Sequence, residues 1–189
     1  MNLVERAKKL LLQPKQEWQV IAAEPHTVKD LYIGYVMILA AIPAVASFIG
    51  LSLIGFGSFR VPIGLGVVHL VLSYVLALAS VYVLALLIDA LAPSFDGQKD
   101  FMQALKVAAF APTASWLAGI FTIIPALSIL TILGLYSLYL LYTGLPMLMK
   151  APEAKAIVYT LVVIVAAIVL YVVVAALTAL TIPSMVRGF

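Results

Sequence analysis

Long apolar stretches separated by short polar clusters dominate the chain, and a helix that crosses a bilayer needs about 20 such residues. Four stretches lack Asp, Glu, Lys and Arg: 31–59, 61–88, 107–149 and 156–186. The third is too long for one crossing. At 1.5 Å per residue it would reach about 65 Å, twice the roughly 30 Å hydrocarbon core, so it predicts two crossings. Pro125 supplies the break, because proline suits the first turn of a helix and disrupts an interior. Five spans result, at about 31–54, 61–88, 107–124, 125–149 and 156–186. The expected fold class is all-α, a polytopic membrane protein built as a bundle of five transmembrane helices, with a segment 1–30 ahead of a transmembrane domain 31–187.

Within 1–30 the pattern changes period. Leu3, Ala7, Leu10 and Leu11 recur at helical spacing, and Glu5, Arg6, Lys8 and Lys9 fill the remainder. This predicts an amphipathic helix lying on the inner leaflet, with Trp18 anchored among the headgroups. A short apolar core with a small-residue cleavage site is missing, so the segment is expected to be retained rather than removed as a signal peptide. Between the second and third spans, Pro93, Ser94, Asp96 and Gly97 spell a turn, followed by an interfacial helix over 98–106 for which Asp96 is a candidate cap.

Composition reinforces the pattern. Apolar residues make up 65% of the chain and charged residues 10%, against roughly 45–50% and 25% in a soluble domain. No cysteine is present, which removes disulfides and thiolate chemistry. The charges are distributed unevenly. Arg6, Lys8, Lys9, Lys15, Lys29, Lys99, Lys106, Lys150 and Lys155 fall on one side of the predicted spans, and only Arg60 and Arg187 on the other. The positive-inside rule therefore predicts a cytoplasmic amino terminus and an external carboxyl terminus in the cell membrane. Topology accounts for the net charge of +3, and no nucleic-acid partner is expected.

Few residues carry chemistry inside the spans. His69 lies on the order of 12 Å from the outer end of the second span, and Ser73 and Ser80 follow on the same helical face. Tyr136 and Tyr139 lie deep in the fourth span, where a phenol needs a partner. These five form a candidate polar seam; the plainer reading is a histidine and small residues that pack helices together. His26 and His69 fall on opposite sides and cannot share a metal. Asp89, Asp96 and Asp100 are read as ordinary boundary acids before a divalent-cation site. Gly64 and Gly66 follow no strand and precede no phosphate-binding lysine. Neither a cofactor motif nor a nucleophile with its base is present, so the chain is expected to be no enzyme.

Several local motifs resemble those of the bacterial and archaeal branch of the Yip family, the Ypt/Rab-interacting membrane proteins. They are Pro14-Lys-Gln-Glu-Trp18 with Ile21 and Glu24, Phe95-Asp96-Gly97, Ala109-Phe110-Ala111-Pro112, and Tyr136-Ser-Leu-Tyr-Leu-Leu-Tyr-Thr-Gly-Leu-Pro146 with Pro152 and Lys155. The resemblance covers almost the whole chain and implies a five-span helical bundle with a cytoplasmic amino terminus. Eukaryotic relatives are associated with vesicle trafficking and prenylated small GTPases, and they carry a longer hydrophilic amino-terminal region than the 30 residues found here. Asp30-Leu31-Tyr32 matches half of a eukaryotic Asp-Leu-Tyr-Gly-Pro signature, and Ile33-Gly34 replaces the other half.

Two functional expectations follow. The first is a non-enzymatic adaptor that recruits a membrane lipid or a cytosolic protein through a surface including Trp18, Asp96 and Gly97. The second is a small oligomeric transporter or channel for an ion or small solute, lined by His69, Ser73, Tyr136 and Tyr139. Ala40, Ala44 and Ser47, or Ala175 and Ala179, offer small-residue faces for a homo-oligomer under either reading.

Overall fold

The computed structural model describes residues 2–55, 57 and 60–179. Two short helices, α1 (Leu3–Leu12) and α2 (Pro14–Ala23), precede five membrane-spanning segments. The spans are Val28–Ile54, Ile63–Phe95, Phe101–Ile123, Pro125–Leu148 and Glu153–Ala179. Among the described residues there is no strand. The sequence expectation of a fifth span reaching 186, with Pro183 and Arg187 beyond its middle, lies partly outside the described residues.

Local chemistry sets most of the boundaries. Asn2 caps α1 by accepting the Glu5 N–H at 3.2 Å, and Pro14 occupies the first turn of α2, where its missing N–H costs nothing. A reciprocal pair opens the first span: Thr27 Oγ1 accepts the Asp30 N–H at 3.2 Å, and Asp30 Oδ2 accepts the Thr27 N–H at 3.0 Å. The third span is capped by Asp100, which accepts the Gln103 N–H at 3.0 Å. Asp96 is therefore not the cap. It sits in the left-handed region at φ 56°, a conformation that short polar side chains tolerate, and it ends the preceding turn.

Consecutive spans run antiparallel. The Gln98 N–H donates to the Met149 carbonyl at 2.7 Å, joining the two connections on the side of the bundle that carries the amino terminus. At the far side the first and third spans touch closely, because a Cβ at Gly50 would strike the Thr122 carbonyl. The third span is the axle. Over its most apolar window 72% of residues are buried, against 17% in the second and fifth spans, so those two face lipid while the third faces protein. Its Ala104, Ala108, Ala109 and Ala111 let neighbouring backbones approach.

The third and fourth spans change character midway. The α-helix pauses at Ala111–Pro112, resumes over Thr113–Ala118 and tightens to a 3-10 helix at Gly119–Ile123. After the extended Ile124, Pro125–Leu135 forms eleven more residues of 3-10 helix before Tyr136–Leu148 returns to α geometry. Runs of that length are uncommon, because side chains eclipse and hydrogen bonds are poorer.

Two expectations about the amino-terminal segment are corrected. It is a pair of helices docked against the bundle, not one helix resting on a leaflet. Arg6, assigned by periodicity to the polar face, is buried along with Ala7 and Leu10 because two carboxylates face it. Trp18 is fully buried, so it neither anchors among headgroups nor belongs to a partner surface. Of the small-residue faces, Ala40 and Ala44 are buried within the bundle, whereas Ala175 and Ala179 remain exposed.

Candidate functional site

The α1–α2 pair is locked to the amino-terminal side of the bundle by charge and by aromatic packing. The Arg6 guanidinium donates to Glu17, and reaches Glu24 at 2.7 and 2.5 Å. Lys106 Nζ, from the third span, donates to the carbonyls of Ala22 at 3.3 Å and Glu24 at 2.8 Å; Gln103 Nε2 adds a bond to Ala22 at 3.1 Å. These donors satisfy carbonyls that the end of α2 leaves without helical partners. Burial pushes the Glu24 carboxyl up, but the Arg6 hydrogen bonds and charge, helped by His26 and Lys106, outweigh it and hold the group below its ordinary value.

Beneath this network Phe110 gathers three rings. Trp18 meets it edge-on at 6.4 Å, His26 at 6.3 Å, and Tyr35 tilts against it at 4.6 Å. The Tyr35 hydroxyl bonds Thr113 Oγ1 at 2.7 Å, and Thr113 Oγ1 donates in turn to the Phe110 carbonyl at 2.5 Å. Gly144 lies under Trp18, and any side chain there would collide with the indole. The sequence motifs thereby acquire physical roles: Glu17 pairs Arg6, Trp18 and Ile21 enter the core, and Gly144 makes room for them.

A second clip joins the connections. Phe95 stacks on Tyr159 at 4.8 Å, Asp96 pairs with Lys155 at 2.6 Å, and Gly97 leaves space for the Met149 carbonyl. Asp96 is largely exposed, and Gly97 is half-buried within the clip.

Deeper in the membrane, the expected polar seam divides. His69, Ser73 and Ser80 line one cavity of about 350 Å³ between the first, second, third and fifth spans. Ser47, Trp116 and Tyr171 also border it. Ser73 and Ser80 donate to carbonyls of their own helix, Leu70 at 3.1 Å and Leu76 at 2.7 Å, which leaves the wall mainly apolar. Tyr136 and Tyr139 are elsewhere, which corrects the expectation of one seam. Their rings pair at 5.4 Å on the opposite flank, and the Tyr136 hydroxyl donates to the Leu11 carbonyl of α1 at 3.0 Å. The reason is register: the α geometry of the fourth span begins at Tyr136 and turns its ring toward α1, with Tyr139 packed against it.

Sequence reasoning missed a hydroxyl cluster. Ser115 and Ser137 bond each other at 3.0 Å, Ser137 Oγ accepts the Ser115 N–H at 2.9 Å, and Ser115 donates to the Gly134 carbonyl at 2.8 Å. The break at Pro112 explains it, since Ser115 lies in the first turn of a new helix, whose N–H groups lack intrahelical partners. With Ser128 and Thr131 these serines line a cleft of about 690 Å³, and Tyr171 borders both this cleft and the first cavity. A serine three residues after an intramembrane proline was the available signal. Among the described residues, no cluster of three or more His, Asp or Glu side chains is placed to hold a metal.

Comparison with known proteins places these features in context. A family model of the Yip1 domain matches residues 8–176. The chain is 30% identical over 121 residues to the inner membrane protein YohC of Escherichia coli strain K12, a match covering 61% of this chain and 62% of that relative. YohC of Escherichia coli O6:H1 matches to the same extent. The match therefore spans less than two thirds of those relatives' length. No solved structure matches.

Proposed function

Because the chain belongs to the Yip1 domain family of integral membrane proteins, we propose that it is a non-enzymatic membrane adaptor whose amino-terminal side recruits a cytosolic protein or a lipid. The observation that carries this reading is the docking of α1–α2. Arg6 is neutralised internally by Glu17 and Glu24, so the hairpin presents Lys8, Lys15, Gln16 and Gln19 outward on a fixed frame. The Asp96–Lys155 clip holds the neighbouring connection beside it. A fixed surface limits the entropy lost on binding, which is what a recruiting platform requires. The excess of basic residues on this side supports a cytoplasmic placement.

The test is proximity labelling from a fusion at the amino terminus, in wild-type cells and in the Lys8→Glu, Lys15→Glu double variant. The reading predicts a defined set of labelled partners that the double variant loses while membrane insertion is unchanged. An identical labelling pattern in both overturns it. Single cysteines at Lys99 and Arg60 test orientation, since only the former should be shielded from an impermeant reagent applied outside.

The His69 cavity favours a second reading, a small transporter. Solute flux in liposomes that falls with His69→Ala would support it; equal flux in empty and protein-bearing liposomes would end it.

A further inference from the structure

The fourth and fifth spans leave the amino-terminal side together, because the short connection after Leu148 sets that residue and Glu153 at about one level. Their outer faces then differ. The fifth span turns to hydrocarbon at once: Ile157, Val158, Leu161 and Val165 stand 54–60% exposed, the first of them just beyond Lys155. The fourth presents Tyr142, Tyr139 and Tyr136, exposed by 36–43%, and Tyr136 lies about 18 Å along the axis from Leu148. Exposed tyrosine belongs to the headgroup zone. One leaflet's share of the core is only about 15 Å, so the stripe carries interfacial chemistry to a depth where the next helix is bare aliphatic.

The α1–α2 hairpin reaches the same depth. Ala22, near the end of α2, is bonded by Gln103 and Lys106 at the start of the third span, whereas Lys15 lies about 10 Å further in along α2. The Tyr136 hydroxyl meets the Leu11 carbonyl at 3.0 Å, and Leu11 and Leu12 share a groove with Leu117, about 16 Å along the third span from Lys106. Around this tip Lys8, Gln13, Lys15 and Gln16 are exposed, and no side chain caps the first N–H groups of α2. Hydrocarbon cannot surround them. Lysine stems reach back toward water, but the glutamines and backbone amides have no such length.

Charge selects what fills the space. Among the described residues Lys8 and Lys15 enter no ion pair, and the exposed Glu5 is already engaged by Lys9 at 2.8 Å. A second copy related by a two-fold axis would bring these cations against their own images. Anionic headgroups neutralise them, and the exposed Val4 and Leu12 beside the lysines suit the acyl edge of the same lipids.

We propose that the hairpin and the tyrosine stripe hold the adjoining leaflet thinned along this flank, with anionic phospholipid headgroups drawn down to Lys8 and Lys15 and the leaflet at full thickness against the fifth span. Such a lipid surface deepens the adaptor reading, and rests on the same docked hairpin.

The test is site-directed spin labelling. The chain has no cysteine, so Gln16→Cys, Tyr139→Cys and Leu161→Cys each carry one nitroxide, the last two at matched distances from the ends of their spans. In nanodiscs of phosphatidylethanolamine and phosphatidylglycerol, relaxation by a neutral nickel complex and by oxygen reads immersion depth. The nickel-to-oxygen accessibility ratio at Gln16 and Tyr139 should exceed that at Leu161 by roughly fivefold, since hydrocarbon excludes the polar complex. Nanodiscs of phosphatidylcholine alone, or Lys8→Gln with Lys15→Gln, should lower that excess by about half; both lysines are exposed, so the fold is kept. An equal ratio at Tyr139 and Leu161 means a flat leaflet and overturns the proposal. So does an excess indifferent to lipid charge and to the lysines, or exclusion of both reagents from Gln16 and Tyr139, as a covering second copy would give. No cytosolic protein is present, so the outcome is separate from the partner labelling that tests the adaptor reading.

Discussion

The two halves of the bundle are built on different principles. On the amino-terminal side, α1, α2 and the spans interlock through the Arg6–Glu17–Glu24 network, the rings around Phe110 and the Asp96–Lys155 clip. On the far side the third and fourth spans relax into 3-10 geometry, hydroxyls line an open cleft, and residues such as Ile129 and Leu135 stand 72% and 60% exposed. The lesson concerns where a membrane protein keeps its rigidity. Lipid offers no hydrophobic reward for bringing apolar helices together, so fixity has to come from close packing and buried polar bonds. Those concentrate on one side.

Perturbations of the locked half should have the largest effects. Trp18→Ala removes a fully buried indole between Phe110 of the third span and Gly144 of the fourth, and should cost about 3–5 kcal/mol in thermal or denaturant unfolding of the detergent-solubilised chain. Gly144→Leu attacks the same contact from the other side and should expose α1–α2 to protease. Arg6→Met leaves Glu17 buried without its partner and should cost about 3 kcal/mol, whereas Arg6→Met combined with Glu17→Met should recover most of that. Recovery distinguishes a satisfied ion pair from mere bulk.

Acidification should act next. The Glu24 carboxyl lies below its ordinary value of 4.5 in the folded chain, so the stability it contributes is complete above that value. It is lost as pH falls through the lowered folded value. Protease sensitivity of α1–α2 should rise in that acidic window, by less than in Arg6→Met because Glu24 is 37% exposed and partly solvated. Asp96→Asn breaks a largely exposed pair and should cost under about 1 kcal/mol. Ile129→Ala, on the far half, should lie within roughly 0.5 kcal/mol of wild type.

The five spans were legible because hydrocarbon thickness imposes a length on every crossing, and Pro125 marked the turn that charge alone could not. Their partners were not. Nothing in the spacing of Arg6 indicated that Glu17 and Glu24 would draw it inward; periodicity reports which face is polar, and a buried ion pair reverses that. Trp18 was misplaced for a related reason, since an interfacial anchor and a core ring look alike until Gly144 is seen to make room for the indole. His69, Ser73 and Ser80 share a wall because they share a helix face. Tyr136 and Tyr139 required the register of a neighbouring span, which the long 3-10 stretch before them shifts in a way no α-helical count anticipates.

Amide hydrogen exchange across residues 3–23 of the full chain in nanodiscs tests most directly whether the amino-terminal helices are a docked part of the bundle. Wild type should exchange there as slowly as the buried segment 104–111 of the third span, and Gly144→Leu should release that protection. Rapid exchange over 3–23 in the wild type, at the rate of a helix resting freely on the bilayer, would contradict the account.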